Sequence, residues 1–161
     1  TASENIEGLD DLVDAFPDID FHIGAQTSMG PKLTCLKDKR NVHLYPGIRQ
    51  GKYQDLLRNC FIYLDLNYGS EVSDVTLDAI ENGQLLFGLE STVHRHYYKD
   101  LPTVYTSLEE LEQGFRQLIQ QAEFYPKALE SQKEVLKLTE REEILAFFTR
   151  LEGEKDDDLH L

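Results

Sequence analysis

The sequence is short of cations, of cysteine and of long apolar runs, and each shortage excludes something. Sixteen Lys and Arg stand against thirty Asp and Glu, a formal net charge of −14. Such a surface repels nucleic-acid phosphates and does not offer a basic membrane-binding face. No apolar run approaches the roughly 20 residues of a membrane span, so association with a membrane is expected to be peripheral at most. The opening TASENIEGLDD is acidic and lacks the basic start of a signal peptide. The two cysteines, Cys35 and Cys60, do not make a disulfide framework. They fit a reducing, cytosolic compartment. There is no CxxC and no helical pair of histidines at metal-ligand spacing, so no metal is expected.

What is present is an alternation of strands and helices in 161 residues, enough for one domain with a sizeable core. Residues 53–98 organise it. An amphipathic helix (Leu56, Leu57, Cys60) leads into an apolar run over 61–66. Gly69 and Ser70 form a corner, a helix follows over about 71–82, Gly83 stops it, and a second apolar run covers 85–89. Short connections between alternating strands and helices imply a parallel sheet covered by helices. Upstream, Ile6, Leu9, Val13 and Phe16 recur at helical steps, so the pattern predicts a helix over 4–16, capped by Ser3 or Asn5 and ended by Pro17. A βα unit needs a strand before that helix, and Thr1 and Ala2 read as its last residues, with more protein expected upstream.

Strands are predicted over 19–25, 42–45 and 103–105, with a weak helix or turn over 31–36. Ser107 and Glu110 read as a capping box for a helix carrying Leu108, Leu111, Phe115, Leu118 and Ala122. Pro126 opens another helix, with Leu129, Gln132, Val135 and Leu136 on one side. Thr139 and Glu142 read as a second capping box, for a helix with Ile144, Leu145, Phe148 and Leu151 inward and Gly153 at its end. The fold class is therefore α/β: a Rossmann-like parallel sheet with helices on both faces and the C-terminal helices packed on it. One domain over 1–153 carries an acidic tail over 154–161.

In such sheets ligands sit at the carboxyl ends of the strands, here loop 67–70 and loop 90–92. Gly69 and Ser70 either form an anion site on free helix amides or simply cap the helix. Glu71 and Asp74 suit the first turn of a helix through its dipole. Asp78 lies deeper and is less easily explained that way. Ser91 and Thr92 either bind a ligand or terminate the strand. His94 and His96, with Arg95, Tyr97 and Tyr98, form either a polar wall or a solvated loop. His22 and His43 read as strand histidines on an outer face, hydrogen-bonded to a neighbour. Lys37, Lys39 and Arg40 read as solvated surface. No residue is assigned a catalytic role.

The blocks FHIGAQTSMGPKL, NVHLYPGI, YQDLLRNCFIYLDLNYGSE, LDAIENGQLLFG and STVH occur in this order. Over about residues 1–122 this resembles the C-terminal, sugar-nucleotide-binding half of a GT-B glycosyltransferase. More specifically it resembles the two-subunit O-GlcNAc transferase of Gram-positive accessory secretion systems, which glycosylates serine-rich repeat adhesins in the cytoplasm. Within that pair it looks more like the stabilising, co-activating subunit. Retaining GT-B enzymes of the related type carry E-x7-E, the second Glu followed by Ala and, four residues on, Gly. Ala79 and Gly83 keep that step, which puts Asp78 at the second acid and Ser70 at the first, with Glu71 one place late.

The resemblance implies a non-catalytic subunit. Its partners would be a catalytic glycosyltransferase subunit and a Ser/Thr-rich acceptor polypeptide. No cofactor is expected. The alternative it implies is a working transferase half that binds the donor UDP-GlcNAc along Gly69, Ser70, Glu71, Asp78, Ser91 and Thr92. Arg49, Lys52 and Arg95 are the cations available there to a diphosphate.

Overall fold

The computed structural model describes residue 1 and residues 3–157, with side chains described up to residue 143. Its elements alternate as the sequence predicts: α1 (Leu9–Ala15), β1 (Phe21–Ala25), α2 (Pro31–Thr34), β2 (Val42–Pro46), α3 (Gln50–Asn59), β3 (Ile62–Asp65), α4 (Val75–Glu81), β4 (Leu85–Leu89), β5 (Val104–Tyr105), α5 (Leu108–Gln120) and α6 (Phe124–Asp157). Short 3₁₀ helices at Cys35–Asp38 and His96–Asp100 complete the described chain. Every strand pairing is parallel. Phe21 lies opposite Val42, Ile62 opposite Leu85, and Gly88 opposite Val104.

The strands form two sheets, β1-β2 and β3-β4-β5, with no strand ladder joining them among the described residues. One apolar cluster nevertheless spans both. Phe21, Ile23 and Val42 from the first sheet pack with Leu85, Phe87 and Leu89 from the second, under Leu12, Val13, Leu111 and Phe115 of α1 and α5. On the opposite face of β4, Leu86 packs with Tyr98, Leu101, Ile80, Val135 and Leu136. Successive residues of a strand point to opposite faces, and β4 is apolar on both because helices cover both.

Between the sheets runs the N-terminal segment. The Thr1 ammonium donates to the Gly24 carbonyl of β1, the Glu7 amide donates to Leu66 O at 2.8 Å, and the Tyr68 amide donates to Asn5 O at 3.1 Å. Asn67 ties this segment down, its Nδ2 donating to Ser3 O at 2.8 Å. These contacts keep residues 3–7 out of the helix predicted over 4–16. It starts at Leu9, and its cap is Gly8 with φ 63°, not Ser3 or Asn5. A Cβ on Gly8 would also meet Leu108 Cδ2 at 2.1 Å. Gly8→Ala is therefore expected to lower stability by about 1–3 kcal/mol, since left-handed backbone costs a non-glycine residue roughly 1–2 kcal/mol before any clash. The shift of the urea unfolding midpoint measures it.

The Ser107 cap is present, with the Glu110 amide donating to Ser107 Oγ at 3.2 Å. The Glu110 carboxylate returns one residue earlier than a standard capping box, accepting from the Thr106 amide at 3.0 Å. The two helices predicted after Pro126 and Thr139 are one. Pro126 sits in the first turn of α6, where helix amides have no partner to lose. Thr139 Oγ1 donates back to Val135 O at 3.0 Å and caps nothing. Gly153 lies inside α6 rather than ending it. The expected inward positions of Ile144, Leu145, Phe148 and Leu151 lie outside the described side chains, and residues 158–161 of the predicted tail lie outside the described residues.

Candidate functional site

The carboxyl ends of β3 and β4 are built around an aspartate. Asp65 is the last residue of β3 and is 1% exposed. Burial pushes its carboxyl above the usual carboxylate range. Its side chain takes two contacts from one residue of the facing loop. The His94 amide donates to Oδ2 at 2.9 Å, and the His94 ring Nδ1 meets Oδ1. The other ring nitrogen, Nε2, lies 2.8 Å from the carbonyl oxygen of Gly69. His94 is thus a clasp between loop 90–95 and loop 67–70, neither solvated nor paired in orientation with His96, which is exposed and packs edge-on against Tyr97.

The expected helix over 71–82 begins only at Val75, because Ser73 takes φ 54° and Asp74 becomes the cap. Gly69 and Ser70 therefore do not open a helix, so Ser70 does not cap one and no free helix amides lie there for an anion, the two readings of this corner. Ser70 is exposed. Glu71 instead reaches forward: its Oε1 accepts from the Thr76 amide at 3.1 Å and from Thr76 Oγ1. Since Thr76 donates to that carboxylate, the Tyr98 hydroxyl donates to Thr76 Oγ1, at 2.9 Å. Burial pushes the Tyr98 phenol up. Arg95 closes the group, 3.4 Å from Glu71 and 2.9 Å from Asp74. Glu71 thus satisfies the Thr76 amide in the first turn of α4 and pairs with Arg95.

Asp78 faces α3, where the Tyr53 hydroxyl donates to its Oδ2 at 2.8 Å. Burial, then the carboxylate itself, pushes the Tyr53 phenol up. Thr92 is a strand terminator: it is buried, and its Oγ1 donates to Asp65 O at 2.7 Å. Ser91 is exposed beside it. Of the cations expected to meet a diphosphate, Arg95 is countered by two carboxylates, and Lys52 lies 5.0 Å over the Tyr45 ring of the other sheet. Arg49 caps α3 and is exposed. Among the described residues no cluster of His, Cys, Asp or Glu is arranged to hold a metal.

The strand histidines behave as expected. His22 Nδ1 is 2.9 Å from Tyr45 Oη, His43 Nε2 is 2.9 Å from Asp20 Oδ1, and the two rings stack. Cys60 is half-buried, and burial pushes its thiol up, while Cys35 is exposed. Asp65 and Thr76 were not among the expected site residues. The one signal for Asp65 is an acid at the end of an otherwise apolar run, IYLD.

Removing the Tyr53 hydroxyl tests whether Asp78 is held structurally. Tyr53→Phe is expected to cost about 1 kcal/mol, the typical worth of such a bond, read by urea unfolding. An unchanged midpoint would leave Asp78 free for a ligand.

The chain is similar to glycosyltransferase subunits and enzymes. The stabilizing protein GtfB of the UDP-N-acetylglucosamine–peptide N-acetylglucosaminyltransferase is 44% identical in Streptococcus parasanguinis over 94 residues, 58% of this chain and 21% of that protein. Its counterpart in Streptococcus gordonii is 42% identical over 98 residues, 60% of this chain and 22% of that protein. The glycosyltransferase GlyD of Streptococcus pneumoniae is 37% identical over 94 residues, 58% of this chain and 12% of that protein. This chain thus spans about a fifth of the GtfB relatives it matches.

Among solved structures, the GtfA/B complex bound to UDP and GlcNAc superposes with a TM-score of 0.74 at 32% identity, covering 83% of this chain and 30% of that one. The glycosyltransferase GlyE of Streptococcus pneumoniae superposes at 0.62 and 22% identity over 71% of this chain and 30% of that one, a likeness of fold. No described helix is long and apolar enough to cross a membrane. Residues 1–132, which hold all five strands and the clasped edge between them, match the GftB/GlyA-F C-terminal domain, and the chain belongs to that family.

Proposed function

We propose that this domain belongs to a non-catalytic, stabilising and acceptor-binding subunit of a two-subunit glycosyltransferase that adds GlcNAc to Ser and Thr of a serine-rich repeat adhesin. It would work in the cytoplasm or peripherally on the inner face of the membrane, as part of an accessory secretion system. The observation that carries this reading is the engagement of both acids at the donor edge. Glu71 accepts from the Thr76 amide of α4 and pairs with Arg95, and Asp78 takes the Tyr53 hydroxyl. A donor site needs such groups aimed at the ligand before it arrives. The names of the GtfB relatives support the reading, since they are called stabilizing proteins.

The partner is a catalytic glycosyltransferase subunit. The acceptor is an extended Ser/Thr-rich polypeptide, for which the exposed ring of Tyr68 at the edge offers an aromatic contact.

The competing reading is a transferase half that binds UDP-GlcNAc itself, favoured by the superposition on a complex that holds UDP and GlcNAc. Reconstitution of the full-length subunit with its catalytic partner separates the two. With Glu71→Gln and Asp78→Asn together, the GlcNAc transfer rate is expected to stay within about 3-fold of the parent. A fall of about 10²-fold, the usual loss when a transition-state contact is removed, would overturn the proposal.

A further inference from the structure

The contacts of His94 raise a question of proton count. An imidazole that is neutral has one N–H and one bare lone pair. Around His94 both nitrogens face oxygens that ordinarily only accept: the Asp65 carboxylate at Nδ1 and the Gly69 carbonyl at Nε2. The Gly69 carbonyl has no proton to give, so Nε2 must carry one. The Nδ1–Oδ1 contact then needs a second proton, on the ring or on the acid. An ionised Asp65 beside a neutral His94 supplies one proton too few and sets a lone pair against a lone pair. We propose that Asp65 and His94 share two side-chain protons and act as a proton-dependent latch that holds loop 67–71 against loop 90–95.

The latch has structural reach. Gly69 is held from the other side as well, its amide donating to Asn67 Oδ1 at 2.6 Å. Asn67 in turn binds Ser3 and, through it, the N-terminal segment between the two sheets. The latched loop therefore sets the path of residues 67–71 on one side and of the segment joining β1 to β3 on the other. The backbone that carries Asp65 is held in place. Thr92 Oγ1 bonds its carbonyl, and the Cα of Gly88 on β4 lies close enough that a Cβ there would meet Asp65 O at 3.2 Å.

The surrounding charges favour keeping the extra proton. Burial opposes ionisation of Asp65 and is the largest influence on it; the His94 amide and ring, within the pair, favour the carboxylate, and Glu71 on the following loop opposes it. Tyr63 on β3 and Tyr98 beyond α4 are phenols pushed up by burial, so they stay neutral. Arg95, next along the loop, is neutralised by Glu71 and Asp74. With its two protons the Asp65–His94 pair is electrically neutral. As pH rises the pair gives one proton to water and becomes an anion in a buried place, and one of the two ring contacts fails. Asp65 has the same sign: a carboxyl held above its unfolded value contributes stability that is full below the usual carboxylate range and is lost as pH rises through the raised value.

Two NMR signals read in the full chain count the protons: the 13Cγ of Asp65 and the ring 15N pair of His94, followed across pH. The expected result is two protons on the pair near neutrality, then loss of one at higher pH with the amide signals of Tyr68, Gly69 and Glu71 shifting on the same curve. Asp65→Asn is expected to keep the clasp, because its amide can donate to Nδ1, and to remove the pH response of the loop. His94→Gln should remove that response too, and serves if the buried Asp65 variant does not fold. One proton on the pair near neutrality, or a loop response that survives both substitutions, overturns the proposal.

Discussion

Phe87→Ala is expected to lower the stability of the domain by about 3–5 kcal/mol, the range for emptying a large aromatic site in a packed core. Phe87 is fully buried on β4, the strand that both neighbours and both helical layers use. Its ring meets Phe115 of α5 edge-on at 4.7 Å and Tyr105 of β5 at 6.0 Å. Phe115 continues to Phe16 at 5.4 Å, so the vacated space lies where α1, α5 and the sheet meet. The surrounding backbone is strand and helix on all sides and can collapse only partly. Phe87→Leu keeps most of the volume and should cost about 1–2 kcal/mol. Urea titration followed by far-UV circular dichroism gives both values. Equal costs for the two variants would mean that the aromatic cluster does not set the core.

Gln132→Leu is expected to cost about 2–4 kcal/mol although it replaces a polar residue in an apolar setting by an apolar one of similar size. Gln132 is 1% exposed and lies on α6 where that helix passes the start of β4. Its Oε1 accepts from the Leu86 amide at 2.9 Å, and its Nε2 donates to Gln84 O at 2.9 Å. β5 pairs only with Gly88 and Leu89, so the start of β4 has no strand on that side. The glutamine supplies the missing ladder rung. Leucine would leave a buried N–H and a buried C=O unpaired, each worth about 1–3 kcal/mol. Lys133→Ala, exposed on the next position, is the control and should stay within about 0.5 kcal/mol. A Gln132→Leu variant as stable as the control would show that water or a backbone shift replaces the rung.

Gln132 also marks how far the sequence could be read. Its helical spacing with Leu129, Val135 and Leu136 put it on the inward side, but its partners on β4 are remote in sequence and carry no local signal. All five strands were legible, because apolar runs bounded by turns are local. The start of α4 was not. Glu71, Asp74 and Asp78 fit a helix that begins at Ser70, and only the left-handed Ser73 breaks it. The division of the sheet into two parts was hidden too, since strand order depends on tertiary pairing. At the candidate edge, loop 67–71 and the loop after β4 do meet, through His94 on Gly69 and Arg95 on Glu71. The partners of the expected residues were not legible: Thr92 turns to Asp65, Glu71 to Thr76, and Asp78 to Tyr53 on another helix. A short polar side chain looks the same in sequence whether it faces a ligand or a neighbouring backbone.

The central claim is that the donor edge of this domain is closed by its own side chains. Calorimetric titration of the isolated protein with UDP-GlcNAc bears on it without any other subunit present. A closed edge gives no saturable binding below about 1 mM, an affinity of roughly −4 kcal/mol or weaker. Sub-millimolar binding that is lost in Asp78→Ala would contradict it, and would place the sugar nucleotide on this domain.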